Sequence, residues 1–231
     1  MRVILLPILL LFPALIQAED ARSINCRFLS FGGNGDTPSV LATSDKGDPV
    51  NCPLPTNELS KKVVCSVKQN TISFLSYSDK SPIATATIPP SVNSAILIFI
   101  QAPKKAEPTA AKTSNWHVFV IEDSPKNFPD GGAFVANFYN KDIRFSIGEH
   151  KNMLHAAGVQ GYKRPEKRDS FNMAPVVFEF SQDDKWRMAN ESMLRFLPGM
   201  RYLIFAYVDP VSGRPRINTY QDFTPQDTPH P

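Results

Sequence analysis

Three scarcities bound this chain before any motif is sought. Cysteine occurs three times in 231 residues, too few for a scaffold held by disulfides in place of a core. Excess charge of one sign is missing: 25 Lys and Arg stand against 22 Asp and Glu, for a net charge of +3. Nucleic-acid binding needs basic residues clustered on one face, so nucleic acid is not an expected partner. The one local basic cluster, Lys163, Arg164, Lys167 and Arg168, is interrupted by Glu166 and Asp169. It reads as a solvated loop, with contact to an anionic surface as the alternative. Finally, no apolar run beyond the N-terminus approaches the roughly 20 residues that span a bilayer. Even 95–101 is strand-sized.

The N-terminus holds a charged start at Arg2, an apolar run from Val3 to Ile16, and Gln17-Ala18 ahead of Glu19-Asp20. Those three parts match a secretory signal peptide. The run is 14 residues long and contains Pro7 and Pro13, too short to span. Ala18 is the small residue expected at the cut. A secreted or periplasmic protein follows, with 1–18 removed and 213 residues left (231 less 18). Export permits a disulfide, and three cysteines allow at most one intramolecular bridge. Cys52–Cys65 closes the shorter loop and is the preferred pair. Cys26, in the apolar run 24–29, reads as a buried thiol.

Along the mature chain the texture is short runs of β-branched and aromatic residues between turn residues. Strands are expected at 24–31, 62–67, 71–77, 83–88, 95–101, 116–121, 134–139, 143–147, 151–156, 176–180, 201–208 and 214–220. Hairpins are expected across Lys68-Gln69-Asn70, across Asn140-Lys141-Asp142 and across Asp209-Pro210-Val211-Ser212-Gly213. Trp186, Ala189, Met193 and Leu197 recur at helical spacing, but their neighbours on both sides are strands. Two short strands broken at Asn190-Glu191 are the preferred reading there.

With no strand–helix alternation, the fold class is all-β: antiparallel β-sandwiches, as two immunoglobulin-like units with little helix. Stretch 102–114 lacks any large apolar residue and reads as a linker between units or as a long surface loop. The expected organisation is an N-terminal β domain at 19–101, a linker at 102–114, a C-terminal sandwich at 115–223 and a disordered tail at 224–231. One larger sandwich is the alternative.

Chemistry-bearing constellations are sparse. Gly32-Gly33-Asn34-Gly35-Asp36 lacks the Gly-Lys-Ser/Thr of a phosphate loop and the spaced carboxylates of a calcium loop; it reads as a turn. His150 and His155 are five apart, not the i, i+4 of a helical zinc site, and on a strand they point to opposite faces. A metal site from His150, His155 and Glu149 is therefore weighed and set aside, and neither metal nor cofactor is expected. Cys65 with His117 as base lacks any local motif, and His117 beside Trp116 reads as structural. No Gly-x-Ser-x-Gly elbow occurs. The carboxylates Glu122-Asp123 and Asp183-Asp184 follow strands, where charged strand ends are the plain reading; a glycosidase would need two of them across a cleft. Asn190-Glu191-Ser192 matches the glycosylation triplet.

The pieces at 134–138, 143–148 and 201–209, with 27–31 and 121–124, resemble recurring segments of a group of secreted bacterial β-sandwich proteins to which no activity is attached. That resemblance implies the fold and an envelope location, and no catalytic residues. In architecture the chain is also similar to periplasmic pilus chaperones, which lend an edge strand to partners. Their paired basic anchor is not evident here. The leading expectation is a non-enzymatic envelope protein acting through protein or glycan contacts. A secreted hydrolase using carboxylates near Asp123 or Asp183, or His150 and His155, is the second. A strand-donating chaperone is the third.

Overall fold

A computed structural model describes residues 21–32, 37–44, 47–101 and 116–224. The expectations for 1–18 with Ala18, for the glycine turn at 33–36, for 102–114 and for 225–231 lie outside the described residues.

The first half contributes β1 (Arg22–Phe31), β2 (Ser39–Ala42), β3 (Val50–Pro53), β4 (Val63–Val67), β5 (Thr71–Ser76), β6 (Pro82–Thr87), β7 (Ser94–Gln101) and β8 (Trp116–Glu122). The second half contributes β9 (Ala133–Asn137), β10 (Ile143–Ile147), β11 (His150–Leu154), β12 (Val159–Tyr162), β13 (Met173–Gln182), β14 (Lys185–Arg195), β15 (Met200–Val208) and β16 (Pro215–Phe223). They form four sheets: A (β4-β1-β7-β8), B (β3-β2-β5-β6), C (β12-β9-β15-β16) and D (β11-β10-β13-β14). The all-β sandwich class expected from the sequence is the class adopted. The stretch 185–195 is neither helix nor two strands. It is one strand against β13, with an extra residue, Ala189, accommodated where the register shifts at Phe178/Glu179.

The two halves have one topology. Read from the start of each half, both give sheets of order 4-1-7-8 and 3-2-5-6. In both, the first strand runs parallel to the seventh, and the strands of the other sheet supply the long crossover that a parallel pair requires. Both carry a register shift at the same place, Phe74/Leu75 on β5 and Phe178/Glu179 on β13. Aligned on their shifts and on the ladder ends Gln101–Trp116 and Val208–Pro215, the halves pair Ser30 with Asn137, Ile121 with Tyr220, and Asp123 with Asp222.

This strand order places β8 in sheet A with the first unit. Trp116–Glu122 pairs with β7 along sheet A, so stretch 102–114 connects two strands of the first unit, and the units are joined at 123–132. A loop's composition signals exposure; it does not say whether the strands on either side pair. The hairpin expected at 140–142 is corrected. β9 lies in sheet C and β10 in sheet D, because Asn137 turns the corner. Its buried side chain donates to the carbonyls of Lys141, Leu154 and His155 and accepts from the Tyr139 amide at 3.0 Å. The β15–β16 hairpin forms as expected, its turn held by Asp209 Oδ2 accepting from the Ser212 hydroxyl at 2.7 Å.

Strand alternation gives each sheet two apolar faces or one. Cys26, Phe28, Leu97 and Phe99 of sheet A meet Val40, Ile72 and Phe74 of sheet B in one core. Ala133, Val135 and Ile204 of sheet C meet Ile143, Phe178 and Phe180 of sheet D in a second. The other faces of A and C meet each other, with Leu29, Ile96 and Ile98 against Phe134, Leu203 and Phe205. The sheets therefore stack in the order B-A-C-D. Glycine permits the close join: a Cβ on Gly161 of β12 would stand 2.0 Å from the Asn127 carbonyl oxygen of the connector. No helix of the described residues is long and apolar enough to cross a membrane.

Candidate functional sites at the junction and on sheet D

The A–C junction holds four charges in an otherwise apolar layer. Arg27 lies on β1 between residues that face the first core, so its side chain points to sheet C. It makes a two-pronged contact with Asp222, Nη1 donating to Oδ2 at 2.9 Å and Nη2 to Oδ1. Arg201, at the start of β15, donates from Nε to Asp222 Oδ2 at 2.9 Å and from Nη2 to Asp123 Oδ1 at 2.7 Å. Its Nη1 donates to the Phe128 carbonyl at 2.9 Å, and the guanidinium lies 3.9 Å over the Phe128 ring. The Arg201, Asp123 and Asp222 side chains are 2–3% exposed. Two cations and two anions cancel, which such burial requires. Asp123 Oδ2 makes no hydrogen bond and stands 3.8 Å from Arg27 Nη1. Beside it a cleft of about 180 Å³ is lined by Asn25, Lys62, Ser94, Asp123, Asp130 and Arg201, among others.

The outer face of sheet D is the second site. Met153, Met188 and Met193 lie on it, exposed to 46, 62 and 48%. Register places them around Val177, Pro175 and the Arg144–Glu179 pair. Arg144 Nη2 donates to Glu179 Oε1 at 2.8 Å, and the guanidinium covers the Trp186 ring at 4.7 Å. Hydrogen bonding from Arg144 holds the Glu179 carboxyl below its usual range. A shallow depression of about 560 Å³ on this face is lined by Arg144, Ser146, Lys151, Asn152, Val177 and Glu179, among others.

The residues singled out from sequence scatter. His150 Nε2 meets the Lys163 carbonyl at 3.0 Å, and His155 Nδ1 meets Asp142 Oδ1 at 3.0 Å. Glu149 turns its carboxylate to the amides of Glu166 and Lys167; burial is the largest single influence and pushes its carboxyl up, but the amide hydrogen bonds together outweigh it and hold the group below its usual range. No group of three or more His, Cys, Asp or Glu side chains suited to a metal forms among the described residues. Cys65 faces the first core, whereas His117 lies on the opposite face of sheet A, so the two do not form a nucleophile–base pair. Asp183 and Asp184 are the two left-handed residues of the β13–β14 turn, at φ 48° and 56°. Of the carboxylates considered, only Asp123 enters a charged cluster. Lys163, Arg164 and Lys167 are exposed and Arg168 is half-buried on the β12–β13 loop. Asn190 of the glycosylation triplet donates to Ser192 Oγ at 3.3 Å.

Sequence reasoning missed Arg27, Arg201 and Asp222. The available signal was a charge at an apolar position of a strand: Arg27 inside 24–31, Arg201 opening 201–208, Asp222 two after Tyr220. No protein-family model matches the chain, and no curated protein is found to match it.

Proposed function

We propose that this is an exported envelope protein whose two sandwich units form one rigid body that binds a protein partner through the outer face of sheet D. The observation that carries this is the exposure of Met153, Met188 and Met193 together on one sheet face. Unbranched, polarizable methionine side chains adapt to varied apolar partners, and grouped exposed apolar residues mark interaction surfaces. The central charges, Arg144 and Glu179, are already paired, so the partner brings apolar side chains to the middle and carboxylates towards Lys151 and Arg195 at the margins. Docking on the face is favoured over strand donation, because the edge strand β14 carries Lys185, Arg187, Glu191 and Arg195, charges that guard an edge against pairing.

Photo-crosslinkers placed at position 188 of sheet D and at its counterpart, position 82 of sheet B, test the reading in an envelope fraction. One reproducible adduct from 188, absent from 82 and abolished by Met193→Glu, is the expected result. Equal adducts from both positions, or adducts indifferent to Met193→Glu, contradict it. Met188→Glu and Met193→Glu should leave stability within about 0.5 kcal/mol, as exposed sites do.

A further inference from the structure

The core of the first unit contains all three cysteines, each with no exposed surface. Cys26 on β1 and Cys65 on β4 face it from sheet A, and Cys52 on β3 faces it from sheet B. The Cys65 thiol lies between the other two, close enough to influence both. Contact with Cys65, then burial, pushes the Cys52 thiol far up from its ordinary value; contact with Cys26 heads the causes that push Cys65 up. As thiols these groups are inert, and nothing in the junction or on sheet D uses them.

Register separates the two possible bridges. On the β1–β4 ladder Cys65 stands opposite Ile24, and Cys26 opposite Val63. Cys26 and Cys65 are thus diagonal neighbours, whose Cα atoms typically stand about 7–8 Å apart. A disulfide usually needs about 4.4–6.8 Å. Cys52 faces Cys65 across the sandwich from the other sheet, and Cys65 is the chief influence on the Cys52 thiol. We propose that Cys52 and Cys65 form an inter-sheet disulfide and that Cys26 remains a buried thiol beside it. The proposal rests on the export reading for its oxidising surroundings. The two thiols give up two protons and two electrons to a disulfide oxidant, whose own S–S bond opens to two thiols as the Cys52–Cys65 bond forms. Because the sulfurs are fully buried in the folded unit, the oxidant reaches them before sheets A and B close.

The bridge would fix more than the core. It closes segment 53–62, which lies over β1 and supports the junction. Ser60 Oγ accepts from the Phe28 amide at 2.9 Å, the Ser60 amide donates to the Phe28 carbonyl at 2.9 Å, and the Ser60 carbonyl accepts from Arg27 Nε at 3.3 Å. Leu59 packs into the A–C layer. A staple at 52 and 65 therefore holds the strap that holds Arg27.

The test begins with the reduced full chain, refolded in a glutathione redox buffer, alkylated in denaturant and mapped by peptide mass spectrometry. The expected result is a Cys52–Cys65-linked peptide, two hydrogens lighter than its thiol form, with Cys26 alone alkylated. The Cys26→Ser variant should give the same link. Three alkylated cysteines, or a link through Cys26, overturn the proposal. Reducing the bridge should lower Tm by about 6 °C or more and speed hydrogen exchange at the Phe28 and Ser60 amides. Unchanged exchange there would overturn the strap's dependence on the bridge. The same mapping on chain recovered from an exported fraction separates the two readings: a bridge in the buffer with thiols in that fraction contradicts export, while thiols in both contradict the bridge.

Discussion

On β5–β6 and β13–β14 the two units repeat each other down to the extra residue, Ile83 in one and Ala189 in the other. Yet their outward residues have diverged. Where sheet B presents Asn51, Pro82 and Thr87, sheet D presents Met153, Met188 and Met193. The inner faces differ less in kind, since both are filled with aliphatic and phenyl side chains. Strand order and bulge are set by the backbone and by alternation, and many side chains satisfy them. What an outer face carries is under no such constraint. The comparison locates where the second unit has acquired something the first lacks: an apolar, adaptable face on D, a carbonyl-gathering Asn137 in place of Ser30, and Tyr220 in place of Ile121.

The junction is where the equivalence breaks most sharply. Asp123 and Asp222 occupy corresponding places, but they are answered by Arg201 from the second unit and Arg27 from the first, which have no charged counterparts at the equivalent positions (Ser94 and Phe134 stand there). Asp222→Ala would leave two buried guanidinium groups without their shared anion. We expect a loss of about 3–5 kcal/mol by urea unfolding, affecting both units at once. A smaller loss confined to the second unit would mean that the junction does not bind them.

Much of the sandwich was legible in the sequence because period-2 alternation and turn residues act locally: the Asp209 turn that starts the β15–β16 hairpin is built from residues within five positions of one another. The join between units was not legible. Asn137 decides that β9 leaves its sheet by collecting carbonyls from as far as His155, and the charges of the junction come from 27, 123, 201 and 222. The repeat was hidden for a related reason. Corresponding positions share a face rather than a residue type, as Cys26 with Ala133 or Cys52 with Leu154 shows.

Asn137→Ala and Ser30→Ala sharpen the comparison at one shared position. The first leaves several buried carbonyls and an amide unanswered and should cost roughly 2 kcal/mol or more; the second should cost below about 1 kcal/mol. Equal losses would contradict the view that Asn137 alone makes the corner. The smallest effect is expected from Tyr220, whose hydroxyl burial, helped by nearby Tyr207, pushes up to about 12. The folded state favours the neutral phenol. Its contribution is complete below the ordinary tyrosine value of about 10 and is lost as pH rises towards 12. Tyr220→Phe should therefore flatten the alkaline fall in stability. An unaltered alkaline limb would assign that fall to other tyrosines.

The central claim, that two equivalent sandwiches are locked into one body through the A–C layer, is tested by the two tryptophans. The chain has only two, one on each side of the junction. Trp116 packs on Phe99 of the first core at 6.1 Å between ring centroids, and Trp186 lies beneath Arg144 on sheet D. Fluorescence-monitored urea unfolding of Trp186→Phe reports the first unit, and that of Trp116→Phe reports the second. Coincident midpoints and slopes are the predicted result. Two separated transitions, with Trp116 and Trp186 losing their environments at different urea concentrations, would contradict it.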